Sequence, residues 1–188
     1  MKKGFTALFL ALSALATLPG CAPVVVAGAG AAAVMASDRR TTGTYIEDEN
    51  IELKILGRSH DFGNSHVNAT SFNLRVLLTG EAPDEATRAK IEQIVRSVPS
   101  VKDVTNDIQV AGNSSLASRG SDSLITTNVK TRMLNNPKFS VNHIKVVTEA
   151  GTVYLMGLVS PEEGDAAVEV ARTTSGVVRV VKVFEYTK

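Results

Sequence analysis

The side chains able to do chemistry in this 188-residue chain are few and scattered. There is one cysteine, Cys21, and there are three histidines, His60, His66 and His143. One cysteine cannot form an intrachain disulfide, and these four donors match no zinc-ligand spacing, so neither a disulfide nor a metal site is expected. No His-Glu-x-x-His, Gly-x-Ser-x-Gly or phosphate-loop motif occurs. Asp84-Glu85 and Glu162-Glu163 have the composition of an acid–base couple, but each falls at the expected start of a helix, where the helix dipole favours negative charge. Capping, not proton transfer, is their expected role. Gly28-x-Gly30-x-x-Ala33 after a valine run has the outline of a dinucleotide-binding turn. That turn needs a βαβ unit around it, and no alternating β-α pattern follows. No catalytic residue, small-molecule substrate or enzymatic activity is expected. A net charge of +1 and the lack of a basic tract give no reason to expect nucleic acid as a partner.

Cys21 gains meaning from what precedes it. Residues 1–36 hold 25 hydrophobic residues and only two charged ones, Lys2 and Lys3, in a chain that is 44% hydrophobic and 21% charged overall. Met1-Lys2-Lys3 followed by an apolar Phe5–Leu18 is the pattern of a secretory signal peptide, too short for a comfortable membrane span. Leu18-Pro19-Gly20-Cys21 resembles the bacterial lipobox. That resemblance implies cleavage before Cys21, a diacylglycerol on its sulfur and an acyl chain on its new amino terminus. One acyl chain holds a protein only weakly, whereas three make a lasting anchor. No other cofactor is expected. Ala22 after the cysteine, by the same resemblance, favours export to the outer membrane, facing the periplasm. Residues 1–20 are then the signal peptide and 21–44 a lipidated, Ala/Gly-rich tether.

The elements beyond the tether come as two copies. Val76-Leu77-Leu78-Thr79-Gly80 aligns with Val153-Tyr154-Leu155-Met156-Gly157 at an offset of 77. Val101, Val104, Ile108 and Val110 align with Val177, Val180, Phe184 and Tyr186 at 76. In the second copy Asp122 or Ser123 can cap a helix with Ile125, Val129 and Met133 at i, i+4, i+8. Two strands meet at Glu149-Ala150-Gly151. Ser160-Pro161-Glu162-Glu163 reads as a capping box opening a helix towards Gly176, and Val177–Tyr186 reads as a last strand. In the first copy the corresponding elements are Ile51–Leu56, Val67–Phe72, Arg75–Gly80, Asp84–Val98 and Val101–Val110. Residues 45–111 and 121–188 are thus two domains, joined by a Gly/Ser-rich stretch over 112–120 whose composition predicts a flexible linker.

This αββαβ repeat resembles the BON domain of bacterial envelope proteins, most closely in Ile125-Thr126-Thr127-x-Val129-Lys130 and Val153–Val159. The resemblance implies an α+β fold of two tandem BON domains, each with two helices packed on a three-stranded mixed sheet. It also implies binding of anionic phospholipid, mainly through the second domain, and a role in outer-membrane integrity with location at the division site. The first copy departs from the pattern, with Phe72-Asn73-Leu74 where its hairpin would have a glycine.

Charge separates the copies independently. Residues 45–111 carry 7 basic and 11 acidic side chains, and residues 121–188 carry 8 and 7. Only the second avoids repulsion from an anionic bilayer. Lys130, Arg132 and Lys138 could supply attraction, at roughly 1 kcal/mol per basic residue near the surface. Leu124, Ile125 and Met133 could supply apolar contact, although Ile125 and Met133 also lie on the stripe expected to face the core. Leu124 lies off that stripe. The rival expectation is a scaffold whose domains bind a protein partner, such as outer-membrane assembly machinery, with the lipid anchor only localising it.

Overall fold

The computed structural model describes residues 38–112 and 116–187, with side chains from residue 119 onward in the second stretch. Cys21, the expected signal peptide and most of the expected tether lie outside the described residues. The first domain runs α1 (Thr42–Gly57), β1 (His66–Phe72), β2 (Arg75–Ala82), α2 (Glu85–Arg96), β3 (Asp103–Asn106) and β4 (Gln109–Val110). The second runs α3 (Leu116–Leu134), β5 (Ile144–Glu149), β6 (Thr152–Val159), α4 (Pro161–Arg172) and β7 (Arg179–Tyr186). Both are the expected αββαβ unit. β1 and β2 form an antiparallel hairpin, and the helical crossover brings β3 back parallel to β2; β5, β6 and β7 repeat this order. The last strand of the first domain breaks at Asp107-Ile108, so β3 and β4 pair separately with β2.

Local signals set the helix starts. Asp84 caps α2 by accepting from the Thr87 amide, and Ser160 with Glu163 closes the capping box of α4. Two helices extend beyond their sequence patterns. α1 starts at Thr42, capped by Thr41, because its polar first turns carry no apolar period that would show them in sequence. α3 starts at Leu116, so 116–120 belong to the helix and not to the linker. α4 ends at Arg172, and Gly176 sits further on, in a turn at φ +88° with the Ile125 side chain against it, instead of directly capping the helix.

Asp122 is therefore not an N-cap. It lies inside α3, 6% exposed, and its carboxylate accepts from the amides of Ala150 (2.9 Å) and Gly151 (2.8 Å) at the tip of the β5–β6 hairpin. Asp48 does the same from α1. Its carboxylate accepts from the Asn73 and Leu74 amides (2.9 and 2.8 Å) and from the Ser71 hydroxyl (2.7 Å). Both central residues of each hairpin have positive φ: Asn73 (53°) with Leu74 (66°), and Ala150 (48°) with Gly151 (73°). A leucine in that conformation is strained, and the buried carboxylate secures the turn that lacks a glycine. Another shared device is a strand glycine. A Cβ on Gly80 would lie 2.0 Å from the His66 carbonyl oxygen, and one on Gly157 would lie 2.5 Å from that of His143. In each copy a side chain there would collide with the backbone entering the first strand.

β2 and β6 are buried on both faces. One face of each sheet meets its own helices: Val76, Leu78 and Ala82 with Ile51 and Ile91, and Val153, Leu155 and Val159 with Val129 and Ala171. The other faces meet each other. Phe72 and Leu77 pack with Tyr154, Met156, Leu158 and Val183. Polar pairs rim this seam. Tyr154 donates to Asp107 (2.7 Å), Arg75 and Asn73 to Glu185 (2.8 and 2.9 Å), and Lys145 to Glu52 (2.8 Å). Burial and the Asp107 carboxylate both push the Tyr154 phenol well above its ordinary pKa. The layers run helix, sheet, sheet, helix.

The chain just before α1 is fastened to both halves. The Arg40 guanidinium, only 7% exposed, pairs with Asp38 (2.6 Å) and Asp48 (2.8 Å) and stacks 4.0 Å over the Phe72 ring. Burial works against its charge, yet the two carboxylates outweigh burial and raise its pKa. Arg39 donates to Glu163 and to the Leu158 carbonyl (2.9 Å), reaching the capping box of α4.

Candidate functional site

Ile125, Val129 and Met133 hold α3 to its sheet at 6%, 0% and 0% exposure. That stripe fixes the opposite one. Leu124, Thr127, Asn128, Thr131, Leu134 and Asn135 are all exposed, with Leu124 at 68% and Leu134 at 67%. The outward face of α3 is therefore uncharged in its middle and carries a leucine towards each end. Around it the chain is one-sided in charge: from Ser123 to Thr148 it contains Lys130, Arg132, Lys138 and Lys145 and no aspartate or glutamate.

The six lipid-contact candidates divide on this geometry. Ile125 and Met133 are core residues, so they cannot meet a membrane while the domain is folded. Arg132 is committed elsewhere: it donates to the Val170 carbonyl (3.0 Å), Thr174 Oγ1 (2.6 Å) and Thr173 Oγ1 (2.9 Å), stapling α3 to the end of α4. Leu124, Lys130 and Lys138 are exposed. Leu134 was missed by the sequence reading, although its spacing of ten from Leu124 puts both on one helix face.

Lys130 lines a cleft of about 450 Å³ between the two domains, together with Lys145, Leu134, Tyr45, Glu49 and Phe72. Its side chain reaches water, but neighbouring protein atoms crowd the ammonium. That desolvation, with the Lys145 charge adding to it, lowers its pKa. A cation held this way gains from any anion brought to it. One carboxylate of each pair serves as a cap: Asp84 accepts from the Thr87 amide, and Glu163 accepts from the Ser160 amide and pairs with Arg39, whereas Glu162 accepts from the Ser160 hydroxyl and Glu85 pairs with Arg88. Histidine spacing also hid one juxtaposition, since folding brings His66 beside Glu81 and Glu149, from three strands in two domains.

The fold and this face define a tandem BON protein. A BON domain model matches residues 48–112 and 121–188, so the chain belongs to the BON family. It is 36% identical over 183 residues to the outer membrane lipoprotein DolP of Haemophilus influenzae, covering 95% of both chains. It is 33% identical over 153 residues to a 21 kDa hemolysin of Actinobacillus pleuropneumoniae, covering 79% of each. The osmotically-inducible protein Y of Escherichia coli matches at 25% over 149 residues, covering 75% of this chain and 73% of that one. None of the three is named for an enzymatic activity.

Proposed function

We propose that this protein is a lipoprotein of the outer membrane, acylated at Cys21 and facing the periplasm, whose second domain binds anionic phospholipid through the outward face of α3 and so supports envelope integrity, with a place at the division site. The observation that carries the reading is the stretch from Ser123 to Thr148, where exposed Leu124 and Leu134 flank an uncharged stripe and no acidic residue occurs. Interfacial helices bind by shallow apolar burial assisted by attraction of basic side chains to the anionic surface. Leu124 and Leu134 fit the first role, Lys130 and Lys138 the second. The resemblance to a full-length outer membrane lipoprotein supports the location and the anchor.

The test is co-sedimentation of residues 38–188, which keeps both domains together, with phosphatidylglycerol-containing and phosphatidylcholine-only vesicles. The second domain alone is unsuitable because its sheet would expose Tyr154 and Met156. Binding to the anionic vesicles at low salt, weakened by Lys130→Glu and by Leu124→Asp, is expected. Absence of binding at low salt would sink the lipid reading.

A second reading rests on α1, where Ile46, Leu53 and Leu56 are 52%, 64% and 67% exposed on an acidic helix. An apolar patch with that charge suits a protein partner better than an anionic membrane. If Leu53→Asp with Leu56→Asp abolishes envelope protection and leaves vesicle binding intact, the scaffold role stands beside the lipid one; unchanged protection removes it.

A further inference from the structure

We propose that His66, Glu81 and Glu149 bind a divalent first-row transition-metal ion, of which Zn²⁺ is the type, in the seam between the two domains. Each offers one ligand atom, and the three atoms lie within 4.8 Å of one another. His66 and Glu81 are register partners across β1 and β2, with Nδ1 and Oε2 3.2 Å apart. Glu149 ends β5 and reaches the pair from the other domain.

Three features make this a receptor for a cation. First, Glu81 and Glu149 are only 7% and 8% exposed, so an ion held between them would meet two carboxylates largely out of contact with water. Second, neutral groups hold Glu149 in place: Asn68 donates to it at 2.8 Å and Thr79 at 3.4 Å. Such outer donors orient a metal-binding carboxylate. Glu81 has His66 as its one hydrogen-bonding side chain among the described residues. Third, an adjoining cavity of about 260 Å³, lined in part by His66, Glu149, Arg119 and Asp122, gives an entry path and room for water as a further ligand.

The donor set narrows the ion. One imidazole nitrogen with two carboxylate oxygens suits Zn²⁺ and its neighbours, whereas Ca²⁺ takes six to eight oxygens. Bonds of about 2.1 Å place tetrahedral donors about 3.4 Å apart. The His66–Glu81 pair already has that spacing, and a small inward movement of Glu149 completes it. Because the donors come from both domains, the bound ion would cross-link them. The site is separate from the outward face of α3 and does not depend on lipid binding.

Isothermal titration of the full chain in detergent micelles with Zn²⁺ tests the proposal. One ion per chain is expected, with a dissociation constant in the micromolar range. Glu149→Gln and His66→Asn should each weaken it by about tenfold or more, and Ca²⁺ at the same concentration should not compete. Zn²⁺ should raise the unfolding temperature of the unsubstituted chain only. Circular dichroism checks each variant's fold, and Glu81→Gln replaces any that fails. No saturable Zn²⁺ binding overturns the proposal, as does binding that survives the folded variants, since the ion would then sit elsewhere.

Discussion

α1 and α3 occupy equivalent places in two copies of one fold. Asp48, Ile51 and Ile55 of α1 recur at the same spacing as Asp122, Ile125 and Val129 of α3, and all six are buried. Each aspartate fastens its own hairpin tip, and each isoleucine packs in its own core. The outward positions have diverged. Apart from those aspartates, α1 carries Glu47, Glu49 and Glu52 against Lys54, whereas α3 carries Arg119, Lys130 and Arg132 and no acidic side chain. Both helices expose leucines, so apolar exposure alone does not separate them. Charge does. The positions that hold the fold are shared between the copies, and the positions that choose a surface are not.

The largest expected effect tests the shared frame. Asp48→Ala strands two amides and a hydroxyl and removes one of the two carboxylates that hold the buried Arg40 guanidinium, and should cost about 3–5 kcal/mol in urea unfolding. Asp122→Ala strands two amides and should cost less, about 2–3 kcal/mol. Equal losses would show that neither Arg40 nor the Ser71 hydroxyl adds to the first hairpin. Next come the strand glycines. Gly157→Ala should cost about 1–3 kcal/mol by forcing the backbones apart. Gly80→Ala should cost more, because φ of +110° at Gly80 adds strain to a closer contact. A reversed order would mean that the two crossings are not equivalent.

The charge difference should then show at membranes. Lys130→Glu changes the local charge by two and should weaken partition into anionic vesicles by about 2 kcal/mol, roughly 30-fold. Glu47→Lys with Glu49→Lys on α1 should strengthen it only if that helix can also face the bilayer, which isolates α3 as the contact if nothing changes. The smallest effect concerns the Arg39 strap. Arg39, with the Ser160 amide and His143 adding to it, holds Glu163 below the usual carboxylate range. A depressed carboxylate contributes stability that is present above its unfolded pKa and is lost as pH falls through the folded one. An NMR titration should therefore find Glu163 ionised below the range of ordinary glutamates, and Arg39→Ala should return it towards that range with under about 1 kcal/mol lost at neutral pH.

Much of this was legible in sequence because it is local. The Ser160-Pro161-Glu162-Glu163 box, the Asp84 cap and the apolar stripe of α3 each depend on residues within a few positions of one another. The αββαβ order could be read from the repeat. What stayed hidden depends on distant partners. Asp122 looks like a cap from its neighbours, and only the hairpin 28 residues on reveals it as a lock. Arg132 looks like a membrane-facing cation until α4 arrives with Val170, Thr173 and Thr174. The unbroken apolar run of β6 signals a strand covered on both faces, but not that the second cover is another copy of the same sheet.

That sheet-to-sheet seam has a consequence for how strongly it must hold. Two like modules meeting through the same face are, in effect, a dimer drawn into one polypeptide. The short connection keeps each half permanently within reach of the other, at the millimolar local concentrations that short linkers impose. Proximity then does work that affinity would otherwise have to do. A small apolar patch with charged and hydrogen-bonded pairs around its edge is enough, where separate chains would need a larger and more greasy contact.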